Sequence, residues 1–562
     1  MKVSTFSKNQ GNLIIPPLMK KIFALVALIS ISVSTFQCKR INNTPPNIVL
    51  FFVDDLGWQD TSVPFWDTPT KWNERYRTPN MERLAAKGVK FTNAYATPVC
   101  SPTRVSLLTG MNAARHRVTN WTLRPDKQQP MEKNHPSLGF PEWNYNGIGL
   151  KPTTPNAAYA TPLPQLLQQK GYHTIHAGKA HFGALGYPSS NPENLGFAIN
   201  IAGHAAGAPS SYLGTENFGN GTPGQEVWAV PGLDAYHGKN IFLTEALTQE
   251  VLKALDVPVR KQQPFFLYFA TYGVHTPLKP DDRFIEKYRD QGLEEPEARY
   301  ASMIESMDHA LGKVLDYLET KALSKNTVVL FMSDNGGLSA VARGGEKHRH
   351  NSPLASGKGS IYEGGIRVPM LAYWPGTTAA GITATHPVII EDFFTSILDM
   401  AQIARPQHVQ TVDGQSFVPV LKGVAPPTRP LFWHYPNEWG PEGPGIGSFS
   451  AIRYEDWKLI YFHSQQQFEL YNLSQDISEQ HNLFFQQQER AKQLVTLLNT
   501  HLQQVGAQMP YYKKTQQQVP FPLLAFEQQW TKSKRKSSKG VVKTHWEDLY
   551  KQVSAILSAE SK

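Results

Sequence analysis

Apolar residues in this chain gather in unbroken runs rather than in alternation. Asn47–Val53 opens the series, and residues 172–177, 265–270, 328–332 and 368–374 continue it. A short apolar run without polar alternation predicts a strand buried on both faces, as in a parallel sheet covered by helices. Segments with helical spacing lie between the runs, over 80–87, 164–170, 243–255, 299–320 and 391–401. This succession predicts an α/β fold with a central, mostly parallel sheet between helices. After residue 425 the pattern changes to short strand candidates at 431–433, 450–453, 458–462 and 469–473, followed by a helix over 486–504. These predict a smaller α+β subdomain built on an antiparallel sheet. The expected organisation is a leader over 1–40, a large domain over 47–424, the α+β subdomain over 425–525 and a basic tail over 526–562. Within the tail, 532–539 reads as a flexible basic linker before a terminal amphipathic helix.

Charge refines this outline. The chain has 562 residues, 40% of them hydrophobic, and a formal net charge of +9. The excess sits at the ends: residues 1–40 hold six Lys/Arg and no acid, and residues 531–562 carry a net +5, which leaves the body at −2. No nucleic-acid partner is expected from such a distribution. Lys20-Lys21 followed by the apolar stretch 22–36 reads as an export signal, too short to span a bilayer comfortably. The expected location is the periplasm or the cell surface. There are two cysteines, Cys38 and Cys100, so no disulfide framework holds the fold. Cys38 falls where a signal would be cut. It reads either as a lipid-acceptor cysteine, the one route to a membrane contact, or as an incidental residue of the leader.

Polar clusters follow the strand candidates, at the edge where open α/β sheets bind ligands. Asp54-Asp55 follows the first run, Gly178-Lys179-Ala180-His181 the second, His275-Thr276-Pro277 the third and Asp334-Asn335-Gly336-Gly337 the fourth. Asp54, Asp55, Asp334 and Asn335 offer hard oxygen donors without a Cys/His cluster, which suits Ca2+, or Mg2+, rather than zinc.

Cys100-Ser101-Pro102-Thr103-Arg104, with Thr109-Gly110 further on, resembles the signature of the sulfatase family, in the alkaline phosphatase superfamily. Gly178 to Gly183 resembles that family's G-K-x-H-x-G, with Ala180 and Phe182 in place of the usual Trp and Leu. Gly357-Lys358-Gly359 and Tyr362 to Pro369 resemble its downstream signature. The resemblance runs from Asn47 to about Asn482. It implies an alkaline-phosphatase-like fold and hydrolysis of sulfate esters. It also implies that a separate maturation enzyme oxidises Cys100 to formylglycine, whose hydrate attacks sulfur and also ligates the metal. One hydroxyl forms the bond; the second later loses its proton and releases sulfate, a step that serine has no group to perform. By the same resemblance Lys179 binds sulfate oxygens, His181 takes the proton, His275 protonates the leaving alcohol and Lys358 bridges sulfate and ester oxygen. Pro102 suits a first helical turn, which sets Cys100 at a helix N-terminus, and Arg104 is expected to aim paired donors near the nucleophile. Glu363 and Arg367 are expected to be structural.

The expected substrate is a sulfated saccharide, with Trp121, Trp143, Trp433, Trp439 and His434 as candidates for contacts to sugar. Two other readings compete. A phosphoester hydrolase of the same superfamily is disfavoured by cysteine at position 100. A non-catalytic polysaccharide-binding descendant is disfavoured because nucleophile, metal ligands and pocket cations are all retained.

Overall fold

The computed structural model describes residues 45–128, 135–404 and 406–536. The leader, Cys38 and the terminal amphipathic helix lie outside the described residues. An eight-stranded sheet forms the centre. Its strands are β1 (Asn47–Val53), β2 (Val89–Phe91), β3 (His173–Gly178), β4 (Ile199–Ile201), β5 (Phe265–Ala270), β6 (Thr327–Ser333), β7 (Met370–Tyr373) and β8 (Ile382–Ala384). Their order across the sheet is β8-β2-β7-β6-β1-β5-β3-β4. Only β7 runs against the rest.

The apolar runs have a simple physical cause. Ile48, Leu50 and Phe52 enter one core, while Val49, Phe51 and Val53 enter another on the opposite face. A strand covered on both faces has no polar side to show. The principal helices are α1 (Pro79–Lys87), α2 (Cys100–Thr109), α3 (Leu163–Gln169), α4 (Leu243–Arg260), α5 (Glu295–Thr320), α6 (Asp392–Met400), α7 (Gln488–Gln504) and α8 (Pro522–Lys536). Helices α2 and α6 pack on the first face, and α1, α4 and α5 on the second. No described helix is long and apolar enough to cross a membrane.

The later part of the chain forms an antiparallel sheet of β9 (Leu431–Tyr435), β10 (Phe449–Tyr454), β11 (Trp457–Phe462) and β12 (Gln467–Asn472), backed by α7 and α8. One expectation needs correction. The proposed break at 525/526 falls inside α8, which continues through 532–536, so this part of the basic stretch is helical rather than a linker. Phe526 packs on Phe468 and Phe484, which explains why the helix crosses that boundary.

Candidate active site

The carboxyl ends of β1, β3, β5 and β6 deliver their polar loops to one place. Asp54 and Asp55 follow β1, and Asp334 and Asn335 follow β6, its partner in register. All four are fully buried. One oxygen from each of the three aspartates lies within 4.8 Å of the others. Two donor atoms here, Asp54 Oδ1 and Asn335 Oδ1, are buried without a hydrogen-bond partner. Orphaned acceptors beside three carboxylates are what a hard divalent cation would satisfy, so these residues fit the group expected from the sequence.

Cations are interleaved with the carboxylates. Lys179 Nζ lies 2.7 Å from Asp54 Oδ2 and Lys358 Nζ 2.6 Å from Asp55 Oδ1. Asn335 Nδ2 donates to Asp55 Oδ1 at 2.7 Å. Burial alone would raise the Asp55 carboxyl, but Lys358, His275 and Lys179 hold it well below the usual carboxylate range. Burial, with Asp334 beside it, instead pushes Asp54 well up against the pull of Lys179. The contrast marks Asp54 as the carboxylate most in need of a further positive charge.

Arg104 bonds the carboxylate Asp334 directly, and Cys100 lies close enough to act on its charge. Its Nε and Nη2 both donate to Asp334 Oδ2, at 3.0 and 2.8 Å, and Nη1 donates to the Lys179 carbonyl at 2.8 Å. These bonds orient Asp334 and the turn that carries Lys179.

Cys100 is the first residue of α2, a helix buried along all ten positions. Thr97 N donates to Thr103 Oγ1 at 2.9 Å and so shapes the turn into that helix. Burial pushes the Cys100 thiol up, opposed by Lys179 and Lys358. The thiol opens into a cleft of about 590 Å3 that is also lined by His181, His275 and Lys358.

The two histidines have defined roles. His181 Nε2 lies 2.7 Å from the Thr122 carbonyl. A carbonyl only accepts, so Nε2 carries the proton and Nδ1 holds a free lone pair, buried and without a partner. Burial, then Lys179 and Arg104, depress this imidazole far below its usual range, so it is neutral and can take a proton. Gly207 packs against its ring: a Cβ there would lie 2.2 Å from His181 Cε1. His275 donates from Nδ1 to the Thr276 carbonyl at 2.8 Å and turns Nε2 toward Asp55 Oδ2, 3.7 Å away. Burial and Lys358 depress it to about 3. Asp55 and His181 both have positive φ, 60° and 57°. Such local strain is held only where the surroundings over-determine it. Gly178, with φ 88°, is required to bring Lys179 in: a Cβ there would sit 1.9 Å from the Ala270 carbonyl oxygen.

The sugar-contact expectations divide. Trp121 and Trp439 line the cleft. Trp143 and Trp433 are core residues, each 2% exposed, and Trp433 Nε1 donates to the Ala96 carbonyl. His434 is buried too, with both ring nitrogens engaged, by Ser450 Oγ and the Gln508 carbonyl at 2.8 Å. These three are therefore corrected from contact residues to packing residues. Glu363 is structural as expected, bonded by Lys458 and Tyr95. Gly207 and Trp228 line the cleft but belong to no motif, and only their position in a Gly-rich loop region hinted at them.

Comparison with known proteins adds ancestry. The family model described as Sulfatase matches residues 46–403, and that described as N-sulphoglucosamine sulphohydrolase, C-terminal, matches 356–508. A protein named Sulfatase from Formosa agariphila is 29% identical over 90% of this chain and 98% of its own. Human N-acetylgalactosamine-6-sulfatase is 33% identical over 69% of this chain and 68% of its own. Among solved structures, Ps i-CgsB in complex with k-i-k-neocarrahexaose is 27% identical, with TM-score 0.63, covering 82% of this chain and 93% of the other.

Proposed function

The chain belongs to the sulfatase family and is a sulfuric ester hydrolase, and from that premise we propose that it desulfates a sulfated carbohydrate with Cys100, once oxidised, as nucleophile. The observation that carries the reading is the opening of Cys100 into a cleft that Lys358 also lines, with Lys358 paired to Asp55 in the buried cluster of three aspartates and Lys179 beneath it. Relatives named for N-acetylgalactosamine-6-sulfate and a neighbour solved with a carrageenan oligosaccharide support the carbohydrate class.

Asp54, Asp55, Asp334 and Asn335 would hold Ca2+, or Mg2+, which would supply positive charge for an anionic sulfate group. Formylglycine at position 100 supplies a hydrated aldehyde, a nucleophile with a second hydroxyl. The chain's own residues do the rest. Asp54, Asp55 and Asp334 balance Lys179, Lys358 and Arg104 in charge, so a divalent cation leaves the floor positive and ready for an anionic ester. Lys179 and Lys358 offset the charge that develops as the S–O bond breaks. His181 Nδ1 accepts the proton whose loss lets sulfate depart, and its Nε2–H bond to Thr122 fixes the ring for that transfer. His275, once protonated at Nε2, gives that proton to the leaving alcohol; burial and Lys358 oppose the protonation, and an anionic ester in the cleft favours it.

The test is desulfation of a panel of sulfated saccharides by protein whose Cys100 peptide shows the aldehyde mass. Turnover that persists in Cys100→Ala, or preference for aryl sulfates by a wide margin, would sink the reading. We also propose export, from Lys20-Lys21 and the apolar stretch 22–36. A mature protein beginning at or near Cys38 would support it, and an intact leader on cell-isolated protein would refute it.

A further inference from the structure

The cleft above Cys100 has a charged floor and an uncharged wall. Among the described residues that line it, His181, His275 and Lys358 are the only ones besides Cys100 with a titratable side chain. The wall is built around Trp121, Trp228 and Trp439. Trp121 and Trp228 come from separate loops and pack on one small apolar cluster with Leu123, Ala205 and Ala206. Lys358 Nζ lies over the Trp439 ring, 5.8 Å from its centroid. Gly359, with φ 86°, makes room for that ring, since a Cβ there would lie 2.0 Å from the indole. All three indoles remain partly exposed. Val341, 43% exposed, extends the apolar surface.

The polar groups on this wall are neutral: Ser210, Gln225 and Thr276 offer hydrogen bonds to hydroxyls but no charge to a second anion. Three cations near the cleft are committed: Lys179 is paired with Asp54, Arg104 with Asp334 and Lys279 with Glu216. A charge set against an apolar wall without a partner is strongly disfavoured, whereas the C–H face of a pyranose stacks well on indole.

We propose that the cleft selects a saccharide unit whose only charge is the sulfate ester being cleaved, held between Trp121, Trp228 and Trp439, and excludes units that carry a second sulfate or a carboxylate. This rests on the sulfated-carbohydrate reading above. The experiment compares kcat/KM of aldehyde-verified enzyme on a monosulfated hexose or N-acetylhexosamine with the same sugar bearing a second sulfate, and with an aryl sulfate. The monosulfated sugar should be preferred over its disulfated form by at least about tenfold. Trp228→Ala should raise its KM by about tenfold and leave inhibition by inorganic sulfate unchanged, since the floor is intact. Equal or better turnover of the disulfated sugar, or an unchanged KM in Trp228→Ala, would overturn the inference and spare the sulfatase reading. Hydrolysis of the aryl sulfate with neither sugar turned over would overturn the carbohydrate reading and the inference with it.

Discussion

At the scale of single residues, His181 shows how little freedom the site leaves. Its Nε2–H is spent on Thr122, its lone pair at Nδ1 is unpartnered, and Gly207 lies against the ring. Gly207→Ala must therefore displace the imidazole. We expect kcat to fall on the order of 10²-fold, the scale of a lost proton acceptor, with little change in Tm. Steady-state kinetics beside a thermal melt checks this, and an unchanged kcat would remove His181 from its role. Asp334 is a second such residue, bonded by Arg104 on one side and grouped with Asp54 and Asp55 on the other. In Asp334→Asn the Tm rise that Ca2+ gives the wild type should disappear, because binding to the native state alone is what raises it. A full Ca2+-dependent shift in that variant would contradict the ligand assignment.

At the scale of elements, the helix α6 carries a titration of its own. Glu391 immediately precedes it, fully buried, and accepts from Asn112 Nδ2 at 3.0 Å. Burial and the neighbouring Asp392 push its carboxyl up to about 8. The folded state thus keeps a proton that the unfolded chain releases near pH 4.3. Stability is fullest below that pH and falls as pH rises toward 8, where the folded carboxyl also ionises. Glu391→Gln keeps the acceptor for Asn112 and removes the charge. It should be more stable than wild type at pH 8 by on the order of 2 kcal/mol, with the gap closing toward pH 5. Parallel denaturation curves against pH decide it. The same scale shows what was legible. The long strands stood out because both their faces are buried. The three-residue strands β2, β4 and β8 are too short for any periodicity to register, and α4 runs past the expected end to Arg260 with Pro258 in its last turn. Motif residues at strand ends were legible because a turn after a buried strand has to reach the sheet edge. Trp143, Trp433 and His434 were not, since a Gly/Pro-rich neighbourhood says nothing of what folds over it.

At the scale of the whole molecule, the antiparallel subdomain is part of the site's support. Lys458 on β11 is fully buried between Glu363 and Glu479, with Nζ 2.9 and 2.8 Å from them. Glu363 also accepts from Tyr95 and lies five residues beyond Lys358. The small sheet thereby anchors the segment that brings Lys358 to Asp55. Lys458→Met strands two buried carboxylates and should cost about 3–5 kcal/mol. Adding Glu363→Gln should restore part of that loss, and strict additivity of the two would refute the coupling.

The central claim is that Cys100, chemically matured, attacks a sulfate ester in this cleft. Its most direct test titrates activity against maturation. Protein is produced with graded fractions of Cys100 as the aldehyde, each quantified by peptide mass spectrometry, and each preparation is assayed on one monosulfated sugar at saturating Ca2+. Turnover should rise in direct proportion to the aldehyde fraction and extrapolate to zero where Cys100 is wholly unmodified. Turnover independent of that fraction would contradict the account.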